Sequence, residues 1–156
     1  MKEYLIMKPI NHIAVSTLIS VILYAIFKSW ALTVSSFISG VFIDLDHVID
    51  YWREYGISFD VKKFLYVHDT KQYRKTHMIL HGWEWLILLG IVALLTDWNP
   101  WVTGVLIGVG QHIALDNINY RESFWSYSLA WRWSKGFKTE VIFRKKRLGK
   151  SKPFIS

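Results

Sequence analysis

Gly40-Val-Phe-Ile-Asp44-Leu-Asp46-His47-Val-Ile-Asp50 ends a long uncharged run in three aspartates and a histidine. Acidic and imidazole groups crowded this tightly repel one another unless something positive sits among them. A divalent metal ion is the simplest such partner, because carboxylate oxygen and neutral imidazole are ordinary ligands for zinc, manganese and iron. The blander reading is a helix cap facing water. The rest of the chain decides between the two, because nearly every other histidine can be brought to this stretch by helix geometry.

Ile13 to Phe27 carries no charge, Lys28-Ser29-Trp30 makes a short break, and Ala31 to Ile43 is again uncharged. Counted from Ile10 and through Trp52, both runs approach the roughly 20 residues that cross a bilayer, and the short break makes them an antiparallel hairpin. A cleaved leader over Lys2–Phe27 is rejected, since no small-residue cleavage site follows and His12 would be lost. Residues 53–76 read as a polar, basic loop with a short helix around 59–66. Met78 to Thr96 is a third apolar segment, interrupted early by His81 and Glu84. Asp97-Trp-Asn-Pro100 is a turn, with Pro100 suited to the first turn of a helix. Trp101 to Leu115 is a fourth segment, and its Gly104 and Gly108 pair reads as a close-packing face.

These segments, together with 52% hydrophobic residues, nine Trp and a formal charge of +7, predict an all-α, integral membrane four-helix bundle of two hairpins. The expected spans are about 10–28, 30–52, 77–96 and 99–118, in one domain over residues 1–156. Aromatic residues among Ser, Arg and Lys over 121–135 predict an additional interfacial amphipathic helix, with a fifth core helix as its alternative. The basic tail from Arg144 through Lys152 suits anionic lipid headgroups better than nucleic acid. Both termini and the 53–76 loop share one side, which holds every Lys and Arg except Lys28. The positive-inside rule therefore predicts a multi-pass protein of the cell inner (cytoplasmic) membrane with both termini cytoplasmic.

In such a bundle His12 opens the first helix, Asp44 to His47 close the second, His77, His81 and Glu84 open the third, and His112 with Asp116 close the fourth. All of these ends meet at one level. Ionisable groups in membrane helices usually face the bundle interior, and bundles build metal sites from facing helices. With no cysteine in the chain, any metal must be held by N and O. The expected ligands are His12, Asp44, Asp46, His47, His81, His112 and Asp116, more than one ion needs, so two zinc ions are expected, with manganese or iron as alternatives. Asp50 and His77 are expected in a supporting role, and His68 and Asp69 in the solvated loop.

Four motifs carry a resemblance: a histidine near the start, Asp-x-Asp-His at 44–47, Arg74-Lys-Thr-His77, and Gly110-x-His-x-x-x-Asp116. Over about residues 10–120 the chain resembles the YdjM-type membrane-bound metal-dependent hydrolases. That family is similar to the zinc-dependent phospholipases C and single-strand nucleases, helical proteins that cleave phosphoesters at a metal cluster. Arg74 to His77 is one residue shorter than the family's usual Arg-x-x-Thr-His, and His81-Gly-Trp-Glu84 is added, so His77 and His81 both stay open as the matching ligand.

No cysteine nucleophile, Gly-x-Ser-x-Gly elbow or phosphate-cradling loop is present. The reaction expected is metal-assisted hydrolysis of a phosphoester in a lipid or lipid-linked substrate at the cytoplasmic membrane face. Asp44 or Glu84 would take the water proton, and Arg74 would hold an anionic substrate group. The alternatives are a di-iron membrane oxidase or desaturase using His77 and His81, and a non-catalytic binding module stapled by metal. A metal-ion transporter is disfavoured, because Leu18 to Phe27 and Leu86 to Leu95 offer only Ser20 and Tyr24 as a polar path.

Overall fold

The computed structural model describes residues 9–120 and 123–143. They form eight α-helices: α1 Pro9–Phe27, α2 Trp30–Phe42, α3 Leu45–Tyr55, α4 Val61–Thr70, α5 Trp83–Leu95, α6 Pro100–Tyr120, α7 Leu129–Ser134 and α8 Thr139–Ile142, with a 3-10 turn at Phe124–Tyr127. The all-α expectation holds: among the described residues the only β-type pairing is an isolated bridge between Lys75 and Lys138. The Arg144–Lys152 tail and Arg121 lie outside the described residues.

Local chemistry sets the helix ends. Lys28 takes a left-handed conformation (φ 50°) that stops α1, and Ser29 caps α2 by accepting from the Leu32 N–H. Asp97 and Trp98, also left-handed, stop α5; Asn99 then accepts from the Trp101 N–H, and Pro100 opens α6, where a missing N–H costs nothing. The two predicted hairpins, α1–α2 and α5–α6, are both present.

α2 and α6 run parallel and touch along a seam of small residues. A Cβ on Gly104 would meet Ser35 Oγ and, at 2.5 Å, the Leu32 carbonyl. A Cβ on Gly108 would meet Ser39 Oγ, the Ser36 carbonyl and, at 2.9 Å, the Gly40 nitrogen. Gly104 and Gly108 thus pack within the chain, as the sequence suggests. On α1 the buried face is His12, Ser16 and Ser20, whereas Ile10, Leu18, Val21, Ile22 and Ile26 are exposed. α3 repeats this in part: Asp46, His47 and Asp50 are buried together with Tyr51, and Leu45 and Ile49 are about half exposed.

Among the described residues two stretches are long and apolar enough to cross a membrane, Ile10–Phe27 and Trp30–Tyr55, the second running through a turn at Ile43–Asp44. The third expected span is corrected. Helix begins at Trp83, not 77, leaving 13 residues, short of the roughly 20 a span needs. Residues 77–82 are irregular because side-chain carboxylates hold their backbone: Asp50 accepts from the His77 and Met78 N–H groups, and Asp46 from that of Leu80. The expected helix over 121–135 is likewise broken into the 3-10 turn and six-residue α7. Phe124, Trp125 and Trp133 are exposed, and the inner side buries Tyr127 and, completely, Arg132.

Because the seam leaves no room for a methyl group, Gly108→Ala should lower thermal stability in detergent by about 1–3 kcal/mol. Gly90→Ala, where nothing lies within 4 Å of the added Cβ, should cause no loss. Circular dichroism melts of the two variants check this; equal melting curves would contradict it.

Candidate metal centre

All seven expected ligands converge at one end of the helices. Potential ligand atoms fall into three overlapping groups, each within 4.8 Å: His12, His112 and Asp116; Asp44, His81 and His112; Asp46, His47 and His81. Such groups can hold a metal ion. Of the two histidines left open, His81 belongs to the cluster and is fully buried. His77 turns its Nδ1 to Asp50 Oδ1 at 3.0 Å instead.

Hydrogen bonding fixes where the imidazole lone pairs point. His112 Nδ1 lies 2.8 Å from the Gly40 carbonyl, which can only accept, so Nδ1 carries the proton. His81 Nδ1 lies 3.0 Å from Asp46 Oδ2, which also accepts from the Leu80 N–H. The two Nε2 atoms face each other at 3.3 Å, and in a neutral ring, the form that binds a metal, each is the lone-pair atom. Asp44 Oδ1 stands 3.4 Å from His81 Nε2 and 3.2 Å from His112 Nε2. Asp116 Oδ2 stands 3.7 Å from each.

With neutral rings and ionised carboxylates, four such electron-pair donors would repel one another unless a cation sat among them. A tetrahedral ion bound at about 2.0–2.2 Å separates its donors by roughly 3.3–3.6 Å. Five of the six separations among these atoms are 3.2 to 3.7 Å, close to that edge length. Asp44, His81 and His112 form one group that could hold a metal ion, and Asp116 borders it. The use of a carboxylate behind a ligating histidine, as Asp46 stands behind His81, is what metal sites use to fix ring orientation.

The remaining members flank this set. His12 Nε2 is 3.1 Å from Asp116 Oδ1, and its ring stacks on His112 at 4.0 Å. His47 Nε2 is 3.6 Å from Asp44 Oδ1. Asp44 is the one carboxylate of the set with appreciable exposure, its side chain being 30% accessible, so the centre opens on its side. It opens into a cavity of about 280 Å³ between the α2–α3 turn, α4, Tyr127 and Phe143.

Two expected catalytic residues are placed elsewhere. Glu84 accepts from Ser128 Oγ at 2.6 Å and from the Leu129 and Ala130 N–H groups at 2.9 and 3.1 Å. A carboxylate at the start of α7 satisfies N–H groups that have no partner within the helix, and this holds Glu84 off the cluster. Arg74 pairs with Glu54 at 2.6 Å on the surface, its side chain 89% exposed. It lines a separate groove with Asp50, His77, Lys75 and Lys138.

Other residues enter that sequence reasoning passed over. Arg132 Nη2 donates to the His81 carbonyl at 2.8 Å. Burial lowers its pKa, and the Asp46 and Glu84 carboxylates offset part of that cost. With Glu84 gripping α7 and Arg132 gripping the loop, the two segments clasp each other across His81. His68, expected in the solvated loop, is instead on α4 with its ring 4.4 Å from that of His47. Burial, and then the nearby Lys71 charge, hold its pKa down to about 3, so the ring is neutral. The signal was present: Asp60 caps α4 through the Lys63 N–H, and Phe64, His68 and Lys71 recur at helical spacing.

Comparison with protein-family models, with curated proteins and with solved structures finds no match.

Asp46→Asn keeps the volume but weakens control over the His81 ring, so metal affinity should fall roughly 10–100-fold. Glu84→Gln should instead cost about 0.5–2 kcal/mol of stability through the weakened α7 cap, with metal affinity unchanged. Metal titration beside thermal unfolding separates the two. Loss of metal binding in Glu84→Gln, or full affinity in Asp46→Asn, would contradict these roles.

Proposed function

We propose that the chain is a membrane-bound metal-dependent hydrolase that cleaves a phosphoester of a lipid or lipid-linked substrate. The observation that carries this reading is the convergence of His81, His112, Asp44 and Asp116, with Nδ1 of both histidines engaged by partners behind them. One or two ions, zinc first and manganese or iron as alternatives, suit this N and O donor set. When bound, such an ion polarises phosphoryl oxygens and makes water a stronger nucleophile at neutral pH.

The chain's own residues supply the rest. Asp116 and His112 hold the floor of the site, and Asp46 keeps His81 turned toward it. Asp44, at the boundary between cluster and cavity, is the carboxylate placed to take the proton from attacking water, with His47 beside it. The membrane location is supported by the inverted burial on α1 and α3 and by the two long apolar stretches. Among the described residues every Lys and Arg except Lys28 lies on the segments at the cluster end, which supports a cytoplasmic site. The di-iron oxidase reading loses its main support, because His77 is bound to Asp50 and not to the cluster.

The test is elemental analysis of protein purified without chelator, followed by phosphate-release and lipid-product assays on phospholipids and lipid phosphates. One or two equivalents of a first-row metal are expected, with His112→Ala losing metal and at least about tenfold of the hydrolysis. Metal-free wild-type protein that gains no activity with any added divalent ion would overturn the proposal.

A further inference from the structure

The cavity beside the metal centre has two kinds of wall. At one end stand Asp44, His47, His12 and Asp116 of the cluster. Toward the outside the lining is apolar, from Val41, Phe42 and Leu45 at the α2–α3 turn and from Phe64 and Leu65 on α4. Phe42 and Leu45 are each 52% exposed on the same outward apolar face that α2 and α3 present elsewhere. The cavity therefore runs from the metal-ligand cluster to the apolar surface of the molecule.

Lys71 adds a charge to this wall. It is only 8% exposed, and its Nζ lies 5.2 Å over the ring of Phe143, another wall residue. Its backbone is left-handed (φ 51°), a conformation glycine or asparagine adopts more readily. Its ammonium group thus brings positive charge to a mostly apolar wall. Apart from the cluster, only His68, Lys71 and Tyr127 among the lining residues carry polar side-chain atoms, so the cavity has few groups with which to bind a sugar or a large polar headgroup.

We propose that this cavity seats a phosphate carried directly on a hydrocarbon chain. The phosphate oxygens lie between the cluster and the Lys71 ammonium, and the first methylenes lie along Phe42, Leu45, Phe64 and Leu65. The chain then leaves toward the apolar face of α2 and α3, where a bilayer would receive it. This rests on the hydrolase reading above and narrows its substrate to an alkyl or prenyl phosphate type of lipid.

Calorimetric titration of the full chain in detergent with hexyl phosphate, inorganic phosphate and hexanol tests it, with metal content measured on the same samples. Hexyl phosphate should bind at least about tenfold more tightly than inorganic phosphate, since burying methylenes and pairing the charge both favour it. Lys71→Met should lose about tenfold or more of the hexyl phosphate affinity, and Lys71→Arg should keep most of it. Val41→Trp, which fills the apolar end, should abolish the preference for the alkyl chain while inorganic phosphate still binds. Equal affinity for hexyl and inorganic phosphate, or an unchanged Lys71→Met with normal metal content, overturns the cavity proposal. Metal bound without an alkyl preference leaves the hydrolase reading standing and removes only this one. Protein without metal defeats the hydrolase reading, and the Lys71-dependent alkyl preference then decides the cavity proposal by itself.

Discussion

At Gly104, Gly108 and Gly40 the helices α2 and α6 approach until a Cβ on any of these glycines would collide with a neighbouring backbone or small polar side chain. The approach has a chemical consequence one turn further on. The Gly40 carbonyl comes within 2.8 Å of His112 Nδ1, fixing the proton on that nitrogen and turning Nε2 toward the Asp44 carboxylate at the end of α2. A wider helix separation would lose that bond, free the ring and move Asp44 away from it. The small residues of the seam and the geometry of the cluster are therefore one feature, since van der Waals contact between helices sets the distance at which the donors meet.

The second constraint is the irregular segment before α5. Residues 77–82 carry His81 but have no helix to hold them, and charged side chains do that work. Asp46 and Asp50 reach from α3 to its backbone N–H groups, and Arg132 reaches from α7 to its carbonyl. Glu84 ties its far end to α7. Charge-assisted bonds in a poorly solvated region are strong. The exposed Trp125 and Trp133 are carried on the segment that grips His81, so the aromatic surface and the metal centre are joined mechanically through a single clasp.

Much of this was legible in the chain. Uncharged runs, a short break and Pro100 after a turn were enough for the two hairpins, because those features depend on local backbone chemistry. The convergence of His12, Asp44, Asp46, His47, His81, His112 and Asp116 followed from placing helix ends at one level. What could not be read was the division of labour among identical residue types. Asp46 and Asp50 sit one helical turn apart, yet one orients a buried ligand and the other holds His77, and the difference lies in loop contacts more than 25 residues away. Glu84 looked like a base because its partner, the start of α7, is 44 residues distant and α7 is too short to show helical periodicity. The third span failed for the same reason: apolar composition over 78–82 could not reveal that side-chain carboxylates would claim its backbone.

X-ray absorption spectroscopy of the wild-type protein loaded with one equivalent of zinc addresses the metal centre most directly. Four N and O scatterers at about 2.0–2.1 Å are predicted, with the outer-sphere pattern of two imidazoles, falling to one in His112→Ala. An oxygen-only six-coordinate environment with no imidazole scattering would contradict the assignment of His81, His112, Asp44 and Asp116 as the site that binds the ion.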